Sequence, residues 1–151
     1  MASAKDIAKR IKEEEIEWVD VRFTDPKGKW QHLSICGGVV DEDMLEEGMM
    51  FDGSSIEGWK VINESDMVLK PDLDAVYVDP FSATPMMVIF CDIVEPSDGS
   101  WYARDPRSTA KRAQEYVKSV GIGDTVYVGV EPEFFMFDDV RFEDGYAGSG
   151  F

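Results

Sequence analysis

At 151 residues, 44% of them hydrophobic and 12% aromatic, the chain has material for one domain, or for one small domain and part of another, around a real core. Lys and Arg number 15 and Asp and Glu 31, a net charge of −16. That polyanion repels phosphate backbones and anionic lipid, which excludes nucleic acid and membrane surfaces as principal partners.

The two cysteines, Cys36 and Cys91, stand far apart outside any CxxC context, and His32 is the sole histidine. A zinc site would lack ligands, so reduced, buried thiols are expected. The first residues, MASAKDIAKRIKEEE, lack the apolar core of a signal peptide. No apolar run approaches the roughly 20 residues of a membrane span. A cytoplasmic protein is expected.

In chain order, Ser3 and Asp6 form a capping box, and Ala4, Ile7, Ala8 and Ile11 follow at helical spacing. From Val19 the period falls to two, with Val19, Val21 and Phe23 alternating with Asp20, Arg22 and Thr24. Asp25-Pro26-Lys27-Gly28 reads as a turn and residues 30–35 as the return strand of a hairpin. Residues 41–47 make one or two helical turns ending at Gly48. A Gly/Ser-rich loop occupies residues 49–59, and strands are expected at 66–69, 75–78 and 86–94. His32 and Trp30 are read as strand and packing residues, and Glu13, Glu14 and Glu15 as a solvated helix end.

Short strands with one helix predict an α+β fold with a mixed or mostly antiparallel sheet. The texture changes near residues 97–104. Asp105-Pro106 suits an N-cap and first helical position. Ala110, Ala113, Tyr116, Val117 and Val120 trace a stripe that Gly121 ends. Arg104, Arg107 and Arg112 are read as ion pairs on that helix surface. Strands are expected at 125–130 and 131–137, before a Gly-rich tail.

Two constellations could carry chemistry. In EPEFFMFDD, residues 131–139, a strand would send the Glu131 and Glu133 side chains from one face, their Cα atoms about 6.5 Å apart. Paired carboxylates repel unless something positive lies between them, and a hard divalent cation is the natural partner. The other reading is an exposed edge strand with solvated glutamates, the commoner outcome for E-x-E; both stay open on the residues alone. In MFDGSSIEGW, residues 50–59, Asp52 sits in a polar loop that nevertheless carries Phe51, Ile56 and Trp59. Such a loop either closes over a site or reaches another subunit, or it is an ordinary turn whose Asp52 binds its own backbone.

Taken together, the motifs resemble glutamine synthetase of the bacterial type (type I). They are FDGSS (51–55), Gly58-Trp59, NESDM (63–67) and EPEFF with FD (131–138), accompanied by RFTD (22–25), DPF (79–81), CDI (91–93) and RDPR (104–107). The resemblance covers nearly the whole chain. One departure is Val130, where the family usually has proline.

The resemblance implies a β-grasp domain over residues 1–103, then the truncated start of an α/β catalytic domain over 104–151. It implies an ATP-dependent ligase joining ammonium to glutamate through a γ-glutamyl phosphate, with Mg²⁺ or Mn²⁺ shielding the phosphates. Glu131 and Glu133 match the first two metal-binding carboxylates of the family. Asp52 matches the loop acid that reaches a neighbouring subunit's site and handles ammonium, with Ser55 on the same loop. A homo-oligomer is implied, the family forming a dodecamer of two stacked hexameric rings. The remaining site residues are expected beyond Phe151, so this piece by itself is expected to be inactive. Two other readings remain: a related ligase using a different amine, and a non-catalytic β-grasp binding module. The anionic Asp52 favours a small ammonium ion.

Overall fold

In the computed structural model, residues 2–61 and 64–150 are described; Asn63 of the NESDM motif lies outside them. The first helix, α1 (Ala4–Glu13), begins with the expected reciprocal cap: Ser3 accepts from the Asp6 amide at 3.1 Å, and Asp6 accepts from the Ser3 amide at 3.2 Å. Its apolar stripe buries Ala4, Ile7 and Ile11. The solvated face closes with Arg10–Glu14 and Lys9–Glu13 pairs one helical turn apart.

Strands β1 (Trp18–Thr24) and β2 (Trp30–Cys36) form the expected antiparallel hairpin. The Asp25 carboxylate organises its turn, accepting from the amides of Lys27 and Lys29 at 2.9 Å each, while Gly28 takes φ +84°. Helix α2 (Glu42–Glu47) is capped by Asp41 and stops at Gly48, whose φ of +90° suits glycine. An added Cβ at Gly48 would meet the Leu69 carbonyl oxygen at 2.4 Å.

The sequence reading needs two corrections here. Residues 49–52, expected as loop, form an edge strand β3 (Met49–Asp52), and the strands expected at 66–69 and 75–78 are one, β4 (Asp66–Val78). Both β3 and β4 are stabilised by neighbours distant in sequence, and a register shift between Pro71 and Val76 absorbs the break that reads as a gap. Strand β5 (Met86–Val94) is nearly all buried. It pairs in parallel with β1 and antiparallel with β4, so it occupies the centre of a five-stranded sheet ordered β2-β1-β5-β4-β3. A central strand covered on both faces reads as a continuous apolar run.

Alternation divides the sheet. Val19, Val21, Phe23, Leu69, Met87, Ile89 and Ile93 join the α1 residues Ile7 and Ile11 in one core. The intervening positions carry charge. Buried Asp20 accepts from Arg22 at 2.7 Å and Ser34 at 2.8 Å, with His32 Nδ1 2.8 Å away. Asp92, with Asp72, receives Arg107 and Lys111 from helix α3 (Pro106–Ser119). Asp105 caps α3 and is fully buried, accepting from the Ser108 amide at 2.9 Å. The CDI and RDPR motifs, with Asp72 and Lys111, thus build the polar joint between sheet and helix.

Of the three arginines, Arg107 alone makes the expected ion pairs among the described residues; Arg104 and Arg112 bond to backbone carbonyls. The stripe on α3 stays largely uncovered, Tyr116 being 65% exposed. Cys91 is buried, but Cys36, expected buried, is exposed at the end of an edge strand.

The strands expected at 125–137 are absent. That stretch has no regular secondary structure and all its side chains are exposed. A strand exists only through a ladder with another strand, and among the described residues none pairs with it. Beyond it lies a short hairpin of β6 (Glu143–Gly145) and β7 (Gly148–Gly150).

Candidate functional site

At the sheet edge, three apolar side chains fix a polar loop. Ile56 and Trp59 are buried, and Trp59 meets Phe23, Phe51 and Tyr102 at centroid distances of 5.6, 6.1 and 5.5 Å. Edge-on and tilted aromatic contacts of this kind favour one arrangement over others. The loop therefore has a hydrophobic root and a polar crest. On the crest a single helical turn, Gly53–Ser55, starts at Asp52.

Asp52 is exposed at the end of β3. It accepts from the Ser54 amide at 2.8 Å and the Ser54 hydroxyl at 2.7 Å. Those two bonds, with a third from the Ser65 side chain, hold its carboxyl below the usual carboxylate range, so it is ionised at neutral pH. Asp52 thus binds its own backbone, as in an ordinary turn, and remains exposed to solvent.

Gly53 packs closely beneath it: an added Cβ would lie 2.3 Å from Met67 Sδ, so the buried Met67 side chain would have to shift. Ser55 is exposed beside Asp52, and both border a cleft of about 260 Å³ with Phe23, His32, Leu33 and Phe51.

The register of the sheet adds a residue that sequence reasoning did not single out. Asp66 stands directly opposite Asp52 across the β3–β4 pair, and both are exposed. Like charges in opposed positions repel, and a small cation relieves that repulsion. The signal was present as the second acid of NESDM, but opposition depends on pairing, which local pattern does not show.

Glu131 and Glu133 are exposed within the irregular stretch and are not brought near Asp52's loop by any contact of the sheet. Their donor chemistry suits a hard cation. Their number does not: among the described residues no three His, Cys, Asp or Glu side chains gather as a metal site. No described helix is long and apolar enough to cross a membrane.

A mixed five-stranded sheet with a helix across one face, leading into a second helical segment, is the β-grasp arrangement followed by the opening of another domain. Residues 15–96 match the family model for the glutamine synthetase β-grasp domain, and residues 103–150 match that for the glutamine synthetase catalytic domain. The chain belongs to the glutamine synthetase family.

It is 57% identical over 151 residues to the glutamine synthetase of Rhizobium meliloti, covering 100% of this chain and 32% of the relative. It is 54% identical over 149 residues to that of Vibrio cholerae, covering 99% and 32%. The cryo-EM structure of Plasmodium falciparum glutamine synthetase superposes with a TM-score of 0.72 at 26% identity, over 80% of this chain and 23% of that one. A ligand-free GmaS structure, at 20% identity and TM-score 0.69, shares the fold. The chain spans about a third of the length of the curated relatives it matches.

Proposed function

We propose that this chain serves as the ammonium-handling part of a glutamate–ammonia ligase that consumes ATP. The observation that carries the reading is Asp52: ionised, rooted by buried aromatics, exposed at a sheet edge, and without an ion-pair partner among the described residues. At neutral pH ammonia is held mainly as ammonium, which is not a nucleophile. An acid loop that attracts the cation and accepts a proton from it supplies the free amine. The amine then attacks the γ-glutamyl phosphate, forming the amide and releasing phosphate. Ser55, on the same crest, offers a hydroxyl acceptor to the bound cation.

In this reading the site is completed by a second subunit, because Asp52 lies at the rim of the sheet rather than in an enclosed cavity. A homo-oligomer, the stacked-ring dodecamer, and a cytoplasmic location belong to the same proposal. Glu131 and Glu133 are proposed as two of the ligands of an Mg²⁺ or Mn²⁺ ion whose remaining ligands come from elsewhere. When bound, that ion would neutralise phosphate charge as ATP approaches glutamate.

The test is steady-state kinetics of the enzyme carrying this chain at the length of its relatives. Losing a charge-assisted contact costs about 1.5–3 kcal/mol, so Asp52→Asn should raise KM for ammonium about 10- to 100-fold while KM for ATP and glutamate stays near wild type. Unchanged ammonium kinetics would reject the reading. A preference for a larger amine would favour the related-ligase alternative.

A further inference from the structure

The Asp52 loop is anchored at its two ends by different parts of the molecule. On the Asp52 side the anchor is the β3–β4 ladder. On the other side it is the segment that leads from the sheet into α3. Tyr102, itself buried, takes its place by donating its amide to the Ile93 carbonyl at 2.9 Å, and its hydroxyl donates to the Trp59 carbonyl at 3.1 Å. Two residues on, Arg104 Nη1 donates to the Gly58 carbonyl at 2.6 Å and lies 3.5 Å from that of Trp59.

Among the described residues Arg104 has no carboxylate at ion-pair distance, so these loop carbonyls are its principal partners. Its own backbone is fixed by the next residue, the fully buried cap Asp105, which also receives the Ile93 amide. The carbonyls it holds belong to a turn where Gly58 takes φ +84°.

We infer that Arg104 is a positioning residue for ammonium use: from the base of α3 it pins the Gly58–Trp59 end of the loop and so sets where Asp52 and Ser55 stand. The inference rests on the reading of Asp52 as the ammonium acid. A small cation offers no other handle, so its capture depends on where one carboxylate is placed, and small misplacements of reacting groups are costly. A guanidinium suits the task because its planar head holds one nitrogen, Nη1, within reach of both neighbouring carbonyls.

The experiment uses the complete enzyme with Arg104→Gln, Arg104→Lys, Tyr102→Phe, Asp52→Asn and the double variant Asp52→Asn/Arg104→Gln. Arg104→Gln should raise the ammonium KM about 10-fold, the scale of one charged hydrogen bond. KM for glutamate and ATP and the melting temperature should stay near wild type. Amide exchange over residues 53–58 should quicken. Arg104→Lys should recover part of the loss, and Tyr102→Phe should move ammonium KM in the same direction by less. The double variant should be no worse than Asp52→Asn alone, because both act through one group.

An ammonium KM unchanged in Arg104→Gln but raised in Asp52→Asn would overturn the inference and leave the site reading intact. A parallel rise for all three substrates with a lowered melting temperature, in the Lys variant as in the Gln variant, would also overturn it, as a merely structural role. An ammonium KM unchanged in Asp52→Asn would overturn the site reading, and this inference with it.

Discussion

Asp20 shows how one residue couples the polar face to pH. Burial alone would push its carboxyl up, but the bonds from Arg22, His32 and Ser34 together outweigh burial and hold it below the ordinary range. A carboxyl whose folded value lies below its unfolded one stabilises the fold above about pH 4, and that contribution is lost as pH falls through the lower folded value. Asp20→Asn should therefore cost roughly 1–3 kcal/mol at pH 7 by denaturant unfolding, with the gap from wild type closing below about pH 4. A constant gap across that range would exclude the carboxylate as the source. The cysteines differ by environment alone. Burial drives the Cys91 thiol up to about 12, whereas Cys36 is exposed. A thiol reagent should titrate one cysteine in the native chain and both after unfolding; two fast-reacting native thiols would contradict the burial of Cys91.

At the scale of elements, stability follows from which face is covered. Helix α1 seals the core with Ile7, which is 1% exposed. Ile7→Ala should lower stability by about 2–5 kcal/mol, read as a shift in the denaturation midpoint with an unchanged slope. Helix α3 is held differently. Its apolar stripe is exposed, and its attachment to the sheet runs through Arg107 and Lys111 on Asp72 and Asp92, with the Arg107 guanidinium over Phe90 and the Lys111 ammonium over Trp101. Exposed stripes of this kind, together with Phe134, Phe135 and Phe137 at 78%, 87% and 71% exposure, have the character of surfaces that other protein covers.

At the scale of the whole molecule, the two acidic constellations meet different fates. Asp52 is placed by the five-stranded sheet and its buried aromatic root, so its carboxylate has a defined setting. Glu131 and Glu133 lie on a stretch without sheet partners, and two carboxylates leave most of a cation's coordination to water. Calorimetric titration of the 151-residue chain with Mn²⁺ should detect binding no tighter than about 1 mM, insensitive to Glu131→Gln. Tight binding would place a metal site within this chain. By the same argument the chain alone should release no phosphate from ATP in the presence of glutamate and ammonium, since the parts of a cooperating site do not contribute singly.

The sequence by itself determined what local chemistry determines. The capping box at Ser3 and Asp6, the turn at Asp25–Gly28, the cap at Asp105-Pro106 and the stops at Gly48 and Gly121 all act within a few residues, so their spacing was enough. The buried run of β5 and the anchoring role of Trp59 were legible because apolar residues in a polar context have few places to go. The ordered run of motifs from FDGSS to EPEFF was enough to name the family. Only tertiary structure decided what depends on partners far along the chain. Residues 49–52 became a strand because β4 pairs with them, while 125–137 did not because nothing described pairs there. Asp66 came to face Asp52 through strand register, and Arg104 reached Gly58 across 46 positions of sequence. A hydrogen bond or charge contact between remote segments depends on the path of the backbone between them, and local pattern does not encode that path.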